Sequence, residues 1–150
     1  MRSLADFEDY IYANFVNEDC GINLSKFKNK IFERIIPVDW NENSLIDFEK
    51  LKSEINHVTD FFKKFYTIHH IRPLWYKINV VDQAVNEYVG IGFLNLKSDW
   101  LKFVIDYLYH DRADEGGDTI LVIFDPEFLW AVCFTYSQDD KSLTIEILEK

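Results

Sequence analysis

The sequence predicts an α+β fold in which N-terminal helices pack on a C-terminal antiparallel sheet of about four or five strands. In the N-terminal half, apolar residues recur at three- and four-residue spacing, which is typical of helices buried on one side. The last third instead alternates short apolar runs with turn residues, which favours a three-strand meander. A chain of 150 residues is expected to form a single globular domain, 1–150.

Three helices are expected before Pro73. The first begins at a cap formed by Ser3 and Asp6 and ends before Gly21. Its apolar stripe comprises Leu4, Phe7, Ile11 and Phe15. A second, short helix is predicted over 25–35, because Phe27, Ile31 and Ile35 are spaced by four and Pro37 follows. The third, over 44–66, has the clearest pattern, with an apolar stripe that runs from Leu45 to Phe65.

Beyond Pro73, residues 74–80 and 89–96 are predicted to be extended, and 81–88 between them to be a loop or a helical turn. Gly90 and Gly92 indicate a bulge or a close packing contact. Another helix is expected over 98–109. Since it is apolar nearly all round, it must be covered on more than one side.

The expected meander comprises strands 119–124, 129–136 and 143–148, joined by turns at 125–127 and 137–141. The first of these strands is apolar on both faces, which places it inside the sheet. The middle strand has large residues on one face and small ones, Ala131 and Cys133, on the other. A helix is therefore expected to approach the small face closely.

The formal charge of −10 excludes several classes of partner. Phosphate backbones and anionic membranes repel such a chain, so neither nucleic acid nor membrane binding is predicted. Asp6, Glu8 and Asp9 interrupt any secretion signal, and the longest uncharged run, 128–138, is too short to span a bilayer. Two cysteines without a CxxC motif fit a reducing compartment. These features predict a soluble, cytoplasmic protein.

The negative charge is concentrated in one segment. Residues 106–140 contain nine acidic residues and one base, Arg112, a net of −8. A concentrated field steers a cationic partner, whereas a uniform one mainly favours solubility. This contrast favours a protein-binding surface at these acids over a merely solvated loop.

Candidate catalytic and metal-binding motifs are weak. His69 and His70 would point to opposite faces of an extended segment, and no nearby residues complete a metal site. The loop 111–118 resembles a calcium loop only superficially, because Ala113 and Val122 occupy ligand positions. No nucleophile elbow, phosphate-binding loop or reactive cysteine is present in the sequence. We therefore predict no enzyme activity, no metal and no cofactor.

The chain closes on a strand–turn–strand of sequence WAVCFTYSQDDKSLTIEIL. With its small size, acidity and many aromatic residues, it resembles the immunity proteins of bacterial polymorphic-toxin and contact-dependent growth inhibition systems. The resemblance is to the class as a whole and assigns no role to any residue. It implies a protein that binds and blocks a cognate toxin domain, often a basic nuclease, in the cytoplasm of the producing cell.

The charge pattern and the resemblance lead to one hypothesis, an inhibitor that presents carboxylates to the cationic active site of a toxin. The predicted partner-binding residues are Asp111, Asp114, Glu115, Asp118, Asp125, Glu127, Asp139 and Asp140. The alternatives are an acidic mimic of nucleic acid or another protein-binding regulator, and then a small enzyme. A mimic requires carboxylates spaced along an elongated face, whereas the inhibitor requires one compact patch.

Overall fold

The computed structural model describes residues 3–15, 22–37, 52, 55–64, 74–81, 85–93, 100–102, 104, 118–137 and 140–150, with only the backbone described at 74–81, 85–93, 118 and 119. The elements in chain order are α1 (Leu4–Phe15), β1 (Asn29–Pro37), α2 (Asn56–Lys63), β2 (Leu74–Val81), β3 (Val85–Phe93), β4 (Asp118–Phe124), β5 (Trp130–Ser137) and β6 (Ser142–Glu149).

The strands form one sheet in the order β1-β6-β5-β4-β2-β3, and all neighbouring strands are antiparallel. The predicted α+β class is confirmed, as is the closing meander of β4, β5 and β6. Strand β4 lies between β5 and β2, which agrees with its two apolar faces. Within the described residues the sheet has six strands, where the sequence predicts about four or five.

The unexpected strand is β1, and the predicted helix over 25–35 is wrong. Residues Asn29–Pro37 pair with β6 along their length, from Asn29 opposite Glu149 to Pro37 opposite Ser142. Pairing with β6 overrides the four-residue spacing that predicts a helix, and the β-branched isoleucines suit a strand. Pro37 is tolerated because β1 is an edge strand.

Helix α1 begins as predicted. The Ser3 amide donates to Oδ2 of Asp6 at 3.1 Å, and the Asp6 amide donates to Oγ of Ser3 at 3.2 Å. This reciprocal pair satisfies two backbone donors at the start of the helix. The predicted stripe is buried at its three later positions, whereas Leu4 is 37% exposed.

Each face of the sheet is covered by a different set of residues. On one face, α2 and Trp100 pack against the large residues of β5, among them Trp130 and Phe134. On the other face, α1 and Phe27 pack against the small residues of the same strand, Ala131 and Cys133. The predicted division of β5 into a large and a small face is therefore confirmed.

The remaining predicted elements are described only in part. Residue 52 and residues Asn56–Lys63 are helical within the predicted helix 44–66, and residues 100–102 and 104 are helical within 98–109. Strand β3 begins at Val85, so the loop or helical turn predicted for 81–88 is wrong for Val81 and for 85–88. The expected bulge is confirmed, because the register of β2 and β3 shifts where Lys77 pairs with Gly90. The other residues of these predictions lie outside the described part of the chain.

Candidate functional site

The topology divides those predicted acidic residues that the structure describes between two ends of the sheet. Strand β4 begins at Asp118, and its antiparallel partner β5 ends at Ser137, shortly before Asp140. Asp118 and Asp140 therefore lie at one end, which we call the Asp118 end. Asp125 and Glu127 follow β4 at the opposite end, about 23 Å away at the usual rise per residue of a strand.

At the Asp118 end, the structure describes Asp140 in full. Its amide donates to Oγ of Ser137 at 3.4 Å, and the Ser137 hydroxyl donates to its Oδ2 at 3.5 Å. Both hydrogen bonds are long and therefore weak. Asp140 is exposed, so its carboxylate is available to a partner. Asp111, Asp114, Glu115 and Asp139 lie outside the described residues.

At the opposite end, Asp125 does not fit its predicted role as a partner-binding residue. Asp125 is only 4% exposed. The Leu129 amide donates to Oδ2 of Asp125 at 3.1 Å, and the Phe128 amide donates to its carbonyl at 2.8 Å. Its own amide donates to the Trp130 carbonyl at 3.0 Å. The carboxylate holds the turn between β4 and β5 and is not presented to a partner.

Burial explains the electrostatics of this carboxyl. Desolvation raises the pKa of Asp125 above its ordinary value, and the nearby charge of Glu127 acts in the same direction. The amides of Leu129 and Glu127 oppose the rise in pKa because they stabilise the ionised form. Glu127 itself is exposed and remains a candidate for partner binding.

Phe128 packs this turn against α1 even though its own backbone conformation is unfavourable. Its φ of 58° lies in the left-handed region, which bulky residues rarely occupy. Its ring centroid lies 4.4 Å from that of Tyr10 and 5.6 Å from that of Phe15, both on α1. Contacts with α1 therefore compensate for the unfavourable φ and fold the turn against the helix.

The structure also describes two other candidate reactive or metal-binding groups, Cys133 and His57. The thiol of Cys133 is buried, and desolvation raises its pKa to about 12, so it is protonated and unreactive at neutral pH. His57 is exposed, and its ring lies 5.0 Å from that of Phe32. Among the described residues, no group of three or more His, Cys, Asp or Glu side chains could hold a metal ion. His69, His70 and His110 lie outside them.

Sequence reasoning misses an ion-pair cluster on β1 and β6. The amine of Lys30 lies 2.5 Å from Oε2 of Glu33 and 2.9 Å from Oε2 of Glu146. Hydrogen bonds to both carboxylates raise the pKa of Lys30. Lys30 and Glu146 are far apart in sequence, and the residue spacing around Lys30 predicts a helix, so no local pattern indicates their contact.

Within the described parts of the chain, no helix is both long enough and apolar enough to cross a membrane. Comparison with known proteins gives no match: no family model matches the chain, and no match is found among curated proteins or solved structures.

Proposed function

We propose that this chain is an immunity protein, a stoichiometric inhibitor that binds a cationic, nuclease-type toxin domain and blocks its active site in the cytoplasm of the producing cell. The observation that supports this proposal is the charge distribution. Residues 106–140 have a net charge of −8 out of the chain's −10. A field of this strength attracts lysine- and arginine-rich surfaces and raises their association rate.

The topology supports assigning several of these acids to one surface. The segment 111–117 leads directly into β4 at Asp118, and Asp140 lies at the same end of the sheet. We therefore assign the partner surface to the Asp118 end, with Asp111, Asp114, Glu115 and Asp139 as its other members. Asp125 is left out because its carboxylate is buried in a turn, and Glu127 because it lies at the opposite end of the sheet.

A compact patch suits an inhibitor better than a mimic of nucleic acid. A mimic needs carboxylates at regular spacing along an elongated face. Between the two ends of the sheet, residues 119–124 of β4 and the whole of β5 contain no acidic residue. The described acids of 118–140 thus lie at the ends of β4 and β5 instead of along them.

The test is a charge reversal at the Asp118 end, with Asp114→Lys, Glu115→Lys and Asp118→Lys combined. The partner in the test is the product of the gene adjacent to this chain's gene, where the proposal expects a toxin domain to be encoded. We expect association to slow by at least about tenfold at low salt, because steering by charge contributes that much or more. The salt dependence of the association rate should become flatter.

The matched control reverses three acids elsewhere, with Glu8→Lys, Asp9→Lys and Asp60→Lys, so that the net charge changes equally. It should slow association much less than the first variant does. Equal slowing in both variants would show that only the total charge matters. If the wild-type protein neither binds the toxin domain nor protects against it, the proposed function is wrong.

A further inference from the structure

We propose that strand β1 prevents a second copy of this chain from adding to the open edge of the sheet, so that the protein stays a monomer. The order of the charges in β1, a bulge, a proline and an ion pair act together to this end. The inference goes beyond the proposed function and does not depend on it, because it concerns only contacts between identical chains.

Strand β1 has features that favour pairing with a further strand. It is at one edge of the sheet, and β6 is its only strand neighbour among the residues that the structure describes. Two of its β-branched apolar residues are exposed, Ile31 at 48% and Ile35 at 62%. An edge strand presents unpaired backbone donors and acceptors, so such an edge is prone to association. Since every copy of the chain carries the same edge, self-association is the first consequence to be prevented.

The order of the charges in β1 disfavours most pairings of two copies. Pairs of identical chains are most often two-fold symmetric, so an antiparallel pair of β1 strands is centred on one residue. Centring the pair on Phe32 places Lys30 opposite Arg34 of the other copy. Centring it on Glu33 or on Arg34 places that residue opposite its own copy. Like charges directly opposite each other are destabilising.

The bulge and the end of the strand disfavour the remaining centres except one. The register of β1 with β6 shifts between Lys30 and Phe32, so a pair centred before Phe32 meets an irregular backbone. A pair centred on Ile36 contains only residues 35–37 of each β1 strand and has few contacts to offer. The pair centred on Ile35 is therefore the one that is regular and opposes no like charges.

Pro37 weakens this last pairing. In the pair centred on Ile35, Pro37 of each copy lies opposite Glu33 of the other. On an edge strand, proline occupies a position whose missing N–H faces away from the neighbouring strand. Residues 33, 35 and 37 therefore present their backbone groups to the open edge, and the Glu33 carbonyl finds no donor on Pro37. The pairing loses two of about six possible hydrogen bonds.

The ion pair on this strand adds a further cost. The Lys30 amine lies 2.5 Å from Oε2 of Glu33 and 2.9 Å from Oε2 of Glu146, and the Lys30 and Glu33 side chains are half-exposed. A strand that docks beside Glu33 removes water from these charges. Their lost solvation opposes docking, because they already attract each other in the free protein.

The test removes these features and follows self-association by sedimentation velocity from micromolar to millimolar concentration. The wild-type protein should remain a monomer throughout. Pro37→Val should form a detectable dimer at the upper end of this range, because two restored hydrogen bonds raise the association constant about tenfold or more. Adding Glu33→Thr and Arg34→Thr removes the opposed charges as well, and this triple variant should associate more tightly still.

Two controls locate the association at β1. Adding Ile35→Lys to the triple variant introduces a charge at the centre of the pair and should restore the monomer. Asp60→Thr with Lys63→Thr on α2 removes another exposed pair of opposite charges, and this variant should remain a monomer. Circular dichroism checks that each variant is folded, and Pro37→Val decides alone if the triple variant is not.

Three results would overturn the proposal. The first is self-association of the wild-type protein. The second is that the folded Pro37→Val and triple variants both remain monomers at millimolar concentration. The third is that the triple variant still associates when Ile35→Lys is added, since its contacts then lie outside the edge of β1.

Discussion

The two turns of the meander are alike in sequence and differ in structure. Both join adjacent antiparallel strands, both contain an aspartate, and both contain a residue with positive φ, Phe128 in one and Lys141 in the other. Asp125 is buried and holds its turn by hydrogen bonds, whereas Asp140 is exposed and makes only long ones. An aspartate in a turn therefore stabilises the turn where neighbouring side chains bury it. It is available to a partner where they leave it exposed.

The neighbour that distinguishes them is α1. Phe128 contacts the rings of Phe7, Tyr10 and Phe15, so the turn between β4 and β5 is pressed against the helix. Lys141, the residue with positive φ in the other turn, is exposed. Substitutions in the two turns test whether these contacts control the difference between them.

The largest effect is expected from Phe128→Ala. Losing a buried phenylalanine typically costs about 3–5 kcal/mol of unfolding free energy, and the alanine retains the unfavourable positive φ. Urea unfolding followed by circular dichroism measures the loss. The control is Leu129→Ala, whose side chain is exposed in the same turn and should cost little. Equal losses in the two variants would refute the role assigned to Phe128.

A smaller effect is expected from Asp125→Ala. The variant leaves the part-buried Leu129 amide without its side-chain acceptor, which should cost about 1–3 kcal/mol of unfolding free energy. Asp140→Ala removes an exposed partner of long hydrogen bonds and should change stability by no more than about 0.5 kcal/mol. Chemical denaturation of both variants checks the contrast. If Asp140→Ala lowers the unfolding free energy as much as Asp125→Ala does, the two aspartates stabilise their turns equally and the contrast is wrong.

The smallest effect concerns pH. Because burial raises the pKa of Asp125 above 3.8 in the folded protein, the folded state holds this proton more tightly than the unfolded state does. The wild-type protein should therefore gain stability relative to Asp125→Asn as pH falls through the raised pKa toward 3.8. This gain should be smaller than the loss expected for Asp125→Ala. Urea unfolding of both proteins across this pH range measures it, and a difference in stability that does not vary with pH would contradict the raised pKa.

Several parts of the fold could be predicted because they depend on local patterns. The cap of α1 needs only Ser3 and Asp6, three residues apart. The three meander strands follow from apolar runs and turn residues. Strand β1 could not be predicted in this way, since its partner β6 lies at the other end of the chain. Its isoleucines have a helical spacing by coincidence, and the hydrogen bonds of the sheet decide its conformation.

For the acidic residues too, some properties follow from the sequence and others only from the fold. The sequence by itself determined how much charge lies in 106–140, because charge is a property of composition. It also determined that β4 is an interior strand, since both its faces are apolar. Only the tertiary structure decided which acids lie together and which are buried. Antiparallel pairing brings Asp118 and Asp140 to one end of the sheet, and packing of Phe128 against α1 buries Asp125 at the other.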